Sequence, residues 1–269
     1  MKKIGFIGTG NMAQAIIRGM IRTGNTTPKN IFCTDICTDK LLAFATETDV
    51  TVCGNNNELV GQSDVVVLAV KPYALPAVLG ELREAVSKRQ PLMVSVAAAV
   101  TLEDMSRVLY YGAPIVRVMP NVNATVGAGM SAVCGGEFAA REQIDYVLDL
   151  FTAVGVSTEL PERDFPCFSA LAGSAPAFAY MFIDSLARGA VRHGLSKDTA
   201  TKIAAQTVLG SAKMILESNE VPWALVDKVC SPGGMTIEGV AALERGAFVA
   251  DVMDAMDAAV RRDAEMRGD

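Results

Sequence analysis

Short apolar runs alternate with amphipathic segments over roughly the first 160 residues of the chain. The runs are rich in β-branched residues, and residues 65–70 are apolar at every position. A run of that kind is typical of a central parallel strand covered on both faces. The alternation predicts βαβ units in a doubly wound, mainly parallel sheet. The predicted strands are 3–8, 30–34, 50–52, 64–70, 91–96, 114–119, 130–134 and 154–158.

The pattern changes near Arg163. Beyond it the apolar positions recur with a helical period, and no segment has the pattern of a strand. These segments are richer in Ala, Met and Leu than a small monomeric bundle requires, which indicates a helical interface between subunits. We therefore expect an α/β domain over residues 1–161 and an all-helical dimerisation domain over 162–269. The predicted helices are 165–191, 197–217, 221–230 and 233–266.

Composition narrows the function classes. The 269 residues are 51% hydrophobic and carry a net charge of −6 without a basic block, which argues against disorder and against a nucleic-acid surface. The apolar runs of the N-terminal part are too short to span a bilayer. Met1-Lys2-Lys3 is followed by an apolar run that a glycine soon interrupts, unlike a signal peptide. We expect a cytoplasmic protein without a membrane partner.

The cysteines and the single histidine make a metal site improbable on chemical grounds. The six cysteines are scattered and form no Cys-x-x-Cys pair, so we expect reduced, mostly buried thiols. One histidine cannot build a multi-histidine site. His193 precedes Gly194 near a predicted helix C-terminus, where an exposed position is expected. No metal is predicted.

A glycine-rich turn follows the first predicted strand and precedes a helical pattern. Gly8 allows a tight turn, Gly10 lets a pyrophosphate approach the backbone, and Ala13 lets the helix pack close to the strand. The free amides of a helix N-terminus attract phosphate. This strand–turn–helix context predicts a dinucleotide site that includes Gly8, Thr9, Gly10, Asn11 and Met12.

Asp35 follows the second strand, where an acidic side chain accepts hydrogen bonds from the ribose hydroxyls of an adenine dinucleotide and repels a 2′-phosphate. Ile36 comes next, where an enzyme that binds the 2′-phosphate needs a cation. The pair favours NADH over NADPH. Alternatively, Asp35 caps the helix that starts near Thr38.

The next two strands end in small or apolar residues that can surround a flat ring. One ends in Ala69-Val70-Lys71-Pro72 and the other in Ser95-Val96-Ala97. Lys71 is either a cation beside bound cofactor or substrate, or a strand-end charge in solvent.

A second distinctive turn lies near the C-terminus, at Ser231-Pro232-Gly233-Gly234-Met235-Thr236. A Pro-Gly-Gly turn that opens a helix points the amides of Gly234, Met235 and Thr236 outward, which suits a small carboxylate. The Thr236 hydroxyl adds one donor or acceptor. Thr236 can equally be an ordinary first-turn residue.

These motifs together resemble the pyrroline-5-carboxylate reductase family, which catalyses the last step of proline synthesis, over nearly the whole chain. The segment 231–236 is the most specific of them, whereas the glycine loop is shared by many folds. The other matching segments are 8–13, 70–72, 119–121, 172–178 and 212–214.

The resemblance implies a Rossmann-type N-terminal domain and a helical domain that forms a homodimer, often within a ring of dimers, with the active site shared across the dimer. It implies hydride transfer from NAD(P)H to the C=N bond of a cyclic imine carboxylate, giving L-proline.

The resemblance also implies residue roles. The amides near Gly233, Gly234 and Thr236 hold the carboxylate, and the Thr236 hydroxyl bonds the ring nitrogen. The substrate site further includes residues around that turn and one from the first long helix: Val229, Ser231, Met235 and Ser174. The residues around the nicotinamide and its ribose are Ala69, Val70, Lys71, Pro72, Ser95, Val96 and Ala97. Asn56 matches a contact to the adenosine half, although it can also be a turn residue or a helix cap.

The chain departs from the family pattern at three places. Many bacterial relatives have Ser-Asn-Arg where this chain has Thr34-Asp35-Ile36. The segment Ala172-Gly173-Ser174 lacks the first serine of the usual motif; Ser174 is kept, and it either bonds a ligand or bonds back to its own helix. Asn219 stands where some relatives have a glutamate that faces the lysine.

Two other functions fit the same layout. One is a different imine or hydroxyacid reductase, which usually keeps a lysine or histidine acid on the first long helix; residues 165–185 contain neither. The other is a nucleotide-sensing relative without activity, which we would expect to have lost the turn at 231–236.

Overall fold

A computed structural model describes residues 1–267, and the eight strands in that part of the chain form one sheet. The order is β3-β2-β1-β4-β5-β6-β7-β8, and neighbours are parallel except β6 and β7. All eight predicted strands are confirmed, with ends shifted by a residue or two. The strands are β1 (Ile4–Ile7), β2 (Ile31–Thr34), β3 (Thr51–Val52), β4 (Val65–Leu68), β5 (Leu92–Ser95), β6 (Ile115–Pro120), β7 (Gly129–Gly135) and β8 (Gly155–Glu159).

Helices follow most of the strands, and after β8 the regular elements of the described chain are all helical. Those of the α/β part are α1 (Asn11–Thr23), α2 (Thr38–Thr48), α3 (Asn56–Gln62), α4 (Leu75–Arg89), α5 (Leu102–Val108) and α6 (Arg141–Thr152). Those that follow the sheet are α7 (Phe165–Phe168), α8 (Ala175–Arg192), α9 (Lys197–Glu217), α10 (Pro222–Val229), α11 (Met235–Arg245) and α12 (Phe248–Arg267). Short 3₁₀ turns cover Pro28–Asn30, Pro72–Ala74, Val122–Val126 and Glu162–Asp164.

The prediction of one helical stretch over 165–191 is confirmed, but its regular α-helical period is wrong at Ser169–Ser174, where a π-helical turn lies between α7 and α8. Pro176 has no N–H, so it cannot bond the carbonyl of Ala172 as an α-helical residue would. That carbonyl instead accepts a hydrogen bond of 2.9 Å from Asn121 Nδ2. The local departure from α-helix is thus satisfied from outside the helix.

The prediction of one helix over 233–266 is wrong. Ala247 lies in the left-handed region at φ +59°, which ends α11 at Arg245 and lets α12 begin at Phe248. The helix predicted at 197–217 is confirmed as α9, and that at 221–230 is confirmed as α10 to within a residue at each end.

The sheet is covered on both faces, as its apolar central strands predict. On one face α1 and α6 pack through Ile16, Met20 and Phe151. On the other, α3 and α4 pack through Leu59 and Leu79. All five side chains are buried, and the doubly wound architecture is confirmed.

Residues of the chain form two compact units. The first is Met1–Gly173 with the end of α12 from Asp263, and the second is Ser174–Arg262. The predicted domain boundary at 161/162 stays a prediction.

In the second unit, the buried hydrophobic side chains among the described residues are three alanines, Ala187, Ala200 and Ala204, where α8 packs on α9. Many large apolar side chains of this unit are exposed instead. They include Tyr180, Met181, Ile203, Leu209, Trp223 and Met253.

The helical stretch Glu162–Arg192 has the length and hydropathy of a membrane-crossing helix, with a mean hydropathy of 1.3 over its most apolar window. Only 17% of that window is buried. One such helix fits a subunit interface as well as a bilayer, because both cover an apolar surface.

Candidate active site

The predicted cofactor residues meet at one edge of the sheet. In the parallel register Ile7 pairs with Thr34 on one side and with Leu68 on the other, and Leu68 pairs with Ser95. The loops that follow β1, β2, β4 and β5 therefore leave from the same edge, which is where doubly wound sheets bind ligands.

The fold itself requires a glycine at position 8, whether or not a ligand is bound. The φ of Gly8 is +95°, and a Cβ there would lie 2.7 Å from the carbonyl oxygen of Ala69. Its amide donates to Thr34 O at 2.8 Å. The tight turn thus holds three strands together at this edge.

Gly10 is a glycine for a different reason. A Cβ at this position would meet no atom within 4 Å, so packing does not demand a glycine. It precedes α1, whose N-terminus has no side-chain cap. Open space in front of uncapped helical amides is a cradle for an anion, and this is the feature of the residues present that fits a dinucleotide pyrophosphate.

Asp35 is held by the glycine loop itself. Its Oδ2 accepts hydrogen bonds from the amide of Thr9 at 2.6 Å and from the Thr9 hydroxyl at 2.9 Å, and its Oδ1 accepts one from the amide of Cys37 at 2.8 Å. Burial by itself would raise the pKa of the Asp35 carboxyl. The bonds from Cys37 and Thr9 outweigh burial, and the pKa lies below its ordinary value.

The cap alternative for Asp35 is wrong, because Cys37 is the N-cap of α2 and no side chain caps that helix. The bond from the Cys37 amide orders the loop before α2. Asp35 keeps acceptor capacity on Oδ1, since a carboxylate oxygen takes two hydrogen bonds. Ile36 beside it is fully exposed, and no cation stands at its position.

Asn56 lies in a chain of hydrogen bonds that starts at the end of β2. The Thr34 hydroxyl donates to Asn56 Oδ1 at 2.7 Å, and Asn56 Nδ2 donates to Glu81 Oε2 at 3.3 Å. The cap of α3 is Asn55, whose Oδ1 accepts from the amide of Glu58 at 2.9 Å. The alternative that Asn56 caps a helix is therefore wrong, because its neighbour Asn55 is the cap.

The remaining cofactor candidates line the same edge. Ser95 and Ala97 are buried, and the Ser95 hydroxyl oxygen accepts from the Ala97 amide at 3.3 Å. Lys71 is exposed, and its ammonium makes no ion pair within residues 1–267. Partly buried residues complete the group, namely Ala69, Val70, Pro72 and Val96.

The substrate turn belongs to the second unit. The amide of Gly234 donates to Ser231 O at 3.0 Å, and Gly233 has φ +67°, as the glycine of a Pro-Gly type II turn requires. A Cβ on Gly234 would lie 2.3 Å from the Ser231 hydroxyl oxygen. The turn is therefore specified by both glycines and by Ser231.

One expectation for this turn needs correction. The Gly234 amide was expected to face a ligand, but the turn already uses it. The amides of Met235 and Thr236 remain, because α11 begins at Met235 without a side-chain cap. The Gly233 amide, in the turn before the helix, also makes no hydrogen bond within the described chain. These three amides still suit a carboxylate.

The side chains of the other substrate candidates are available to a ligand. The hydroxyls of Thr236 and Ser174 make no hydrogen bond within the described chain, so the back-bonding alternative for Ser174 is not what the structure shows. Val229 and Met235 are exposed apolar side chains on either side of the turn. His193 is exposed at the C-cap of α8, as predicted.

Sequence reasoning missed a buried ion pair. Arg117 in β6 is 5% exposed, and its Nη1 lies 2.7 Å from Glu162 Oε1. Its guanidinium carbon lies 4.7 Å from the ring centroid of Phe165. The same Glu162 oxygen accepts from the amide of Leu102 at 2.8 Å. The available signal was a lone charge inside an otherwise apolar strand.

Asn121, in the matching segment 119–121, has a structural role that its sequence context does not indicate. Its Nδ2 donates to the Ala172 carbonyl, and its Oδ1 accepts from the Met130 amide at 3.0 Å. It therefore links the end of β6 to β7 and to the π-helical turn.

Known proteins match both parts of the chain. The family model for pyrroline-5-carboxylate reductase dimerisation matches residues 162–266, and that for coenzyme F420-dependent NADP oxidoreductase matches residues 3–99. The chain is 39% identical to a pyrroline-5-carboxylate reductase of Methanosarcina acetivorans over 98% of both chains.

The chain belongs to the pyrroline-5-carboxylate reductase family.

Solved structures agree with this membership. A pyrroline-5-carboxylate reductase from Coxiella burnetii has a TM-score of 0.93 and 35% identity, covering 98% of each chain. A pyrroline carboxylate reductase from Plasmodium falciparum, solved with NADP bound, has a TM-score of 0.85 and 29% identity, covering 99% of this chain and 98% of that one.

Membership in the pyrroline-5-carboxylate reductase family explains the exposed apolar side chains of the second unit. The dimerisation model spans α7 to α12, including the apolar stretch Glu162–Arg192. The protein is a homo-oligomer, and a subunit interface fits the hydropathy of that stretch.

Proposed function

We propose that this protein reduces the C=N bond of 1-pyrroline-5-carboxylate with a hydride from NAD(P)H and releases L-proline. The observation that carries the proposal is the match to pyrroline-5-carboxylate reductases over 98% of the chain at 39% identity. The protein is then an NAD(P)H-dependent oxidoreductase acting on a CH–NH group, and its function is the last step of proline biosynthesis.

The cofactor end is built by the first unit. The amides at the start of α1, beyond Gly10, hold the pyrophosphate, and the edge residues from Ala69 to Pro72 and from Ser95 to Ala97 surround the nicotinamide and its ribose. When bound, the reduced nicotinamide supplies the hydride. Lys71 places an unpaired positive charge at this end, where it attracts the anionic substrate and cofactor.

The substrate end is built by the turn at 231–236. The amides of Gly233, Met235 and Thr236 receive the carboxylate, and the Thr236 hydroxyl accepts a hydrogen bond from the protonated ring nitrogen. The protonated imine is already electrophilic, so these groups mainly orient it. Ser174, Val229, Ser231 and Met235 complete the substrate residues that we propose.

The preferred cofactor in this proposal is NADH. Asp35 is ionised because its pKa is lowered, it is fixed by Thr9, and Ile36 offers no cation to a 2′-phosphate. The NADP of the Plasmodium falciparum relative and of the matching family model supports use of the NAD(P)H class. The preference for the unphosphorylated form rests on this chain's own residues.

The proposed assembly is a homodimer through the helical unit, with a ring of dimers as the larger form, in the cytoplasm. Multi-angle light scattering gives the stoichiometry directly. Fractionation of the source cells tests the location.

The activity is tested by following nicotinamide absorbance with the imine and NADH or NADPH, and in reverse with proline and NAD⁺ at alkaline pH. We expect turnover in both directions and a higher kcat/KM for NADH. A preference for NADPH would contradict the cofactor proposal alone. Reduction of 2-ketoacids without reduction of the imine would favour the hydroxyacid reductase, and nucleotide binding without any turnover would favour the sensing relative.

The role of Thr236 is tested by Thr236→Ala. Losing one hydrogen bond to a charged group lowers kcat/KM for the imine by about 10- to 100-fold. Thr46→Ala is the matched control, because that hydroxyl bonds the Leu42 carbonyl in α2 and is exposed. Equal activities of the two variants would remove Thr236 from the site.

A further inference from the structure

A second carboxylate, Glu81, is held beside the predicted adenosine site. The Thr34 hydroxyl donates to Asn56 Oδ1, which fixes the orientation of the amide and turns Nδ2 toward Glu81. Thr34 is the chain neighbour of Asp35. Two hydrogen bonds therefore connect the backbone position next to Asp35 to the carboxylate on α4.

Glu81 has no cation of its own. It is exposed, and no ion pair joins it to another residue of the described chain. The other glutamate of this helix surface, Glu84, pairs with Lys88 at 2.6 Å. Near Asp35, the Lys40 charge acts on the Asp35 carboxyl and partly offsets it. The charge of Glu81, unlike that of Glu84, is therefore not offset by an ion pair.

A 2′-phosphate adds a charge of about −1.5 to −2 at neutral pH, whereas a ribose hydroxyl adds none. Like charges repel even in water, and this repulsion is absent for the unphosphorylated ribose. A carboxylate held by Asn56 therefore repels a cofactor that carries a 2′-phosphate and does not repel the unphosphorylated cofactor.

We propose that Glu81, positioned by Asn56, is a specificity-determining residue that disfavours cofactors with a 2′-phosphate. This inference rests on the proposed use of a nicotinamide dinucleotide and extends it, since the discrimination then depends on two carboxylates from different elements. Glu81 acts by its charge and does not touch the reacting atoms.

The test measures binding of 2′,5′-ADP and of 5′-AMP to the full chain by calorimetry, for the unmodified protein, Glu81→Gln and Glu84→Gln. Glutamine keeps an acceptor for Asn56 Nδ2, so Glu81→Gln removes the charge and keeps the hydrogen bond. We expect 2′,5′-ADP to bind about fivefold more tightly to Glu81→Gln and 5′-AMP to be unchanged. Glu84→Gln changes neither. The gain shrinks at high salt, because salt screens the repulsion.

The result that overturns the proposal is an unchanged affinity of Glu81→Gln for 2′,5′-ADP, or an equal gain for both nucleotides. Failure of either nucleotide to bind the unmodified protein also overturns it. The assay needs no turnover, so it is independent of the proposed reaction. If Glu81→Gln shows the selective gain but the protein never reduces the imine, the proposal for Glu81 stands and the proposed function is wrong.

Discussion

The two compact units differ in where they bury their apolar side chains. The first unit buries large residues such as Phe6, Met20 and Phe151 against its own sheet, and each is fully inaccessible. The second buries three alanines and exposes leucines, methionines and aromatics. Both contain regular amphipathic helices, so the difference lies in what covers the apolar faces.

This difference shows that one unit supplies its own core and the other requires a second copy. A sheet covered on two faces removes most apolar area from water within one chain. Antiparallel helices that meet through alanines leave their larger side chains outward. We propose that a second copy of the chain covers them, which the match of residues 162–266 to the dimerisation model supports.

The largest expected effect comes from a charge on the exposed apolar surface of the second unit. Leu209→Glu and Met181→Glu each replace an exposed side chain on α9 or α8. Burying a leucine side chain is worth about 1.5–3 kcal/mol and the change occurs in both subunits, so the dissociation constant rises about 10³-fold. Analytical ultracentrifugation over a concentration series measures it.

The matched control is Leu42→Glu, an exposed leucine of the first unit on α2. It should leave the dissociation constant unchanged. If both second-unit variants remain dimeric at the concentrations where the unmodified protein does, the contrast between the units is mistaken.

A smaller effect tests how much a buried ion pair of the first unit contributes to the free energy of unfolding. Arg117→Ala leaves Glu162 without its partner in a site where the arginine is 5% exposed, and we expect a loss of about 3 kcal/mol in the free energy of unfolding. Urea unfolding at fixed protein concentration measures this loss.

Arg107→Ala serves as the reference, because its pair with Glu103 is exposed on both sides. It should unfold at the same urea concentration as the unmodified protein. Similar losses for the two variants would mean that burial does not distinguish the pairs.

The smallest effect separates folding from ligand binding within the glycine loop. Gly8→Ala lowers the free energy of unfolding by about 1–2 kcal/mol, since φ is +95° and the Cβ meets Ala69. Gly10→Ala lowers it by less, about 0.5–1 kcal/mol, because alanine is a poorer N-cap than glycine, and it weakens NADH binding. Thermal melts and NADH titrations of both variants decide this. A Gly10→Ala protein that binds NADH normally would show that the open space is not the pyrophosphate cradle.

Much of the fold could be predicted because its signals are local. Every strand was marked by an apolar run, and α9 by its period and by the residues that flank it. The breaks at Ser169–Ser174 and at Ala247 were missed. The first depends on Asn121, which lies far away in the sequence, and the second on an alanine in a conformation that no residue type signals.

The sequence predicts candidate site residues such as Asp35, Gly8 and the turn at 231–236, and their roles stay predictions. It does not predict which atoms of these residues the fold itself already uses. The bond from Thr9 to Asp35, the engaged amide of Gly234 and the carboxylate of Glu81 were not predicted.

The sequence by itself determined the doubly wound sheet, the helical region after it, the glycine loop and the family of the chain. These follow from periodicity and from residue types that only certain backbone conformations tolerate. Only the tertiary structure decided which donors hold Asp35, that Asn56 holds Glu81, and that the second unit lacks a core of its own. Hydrogen bonds between residues more than 20 positions apart depend on how strands and helices pack, and neither composition nor period specifies that packing.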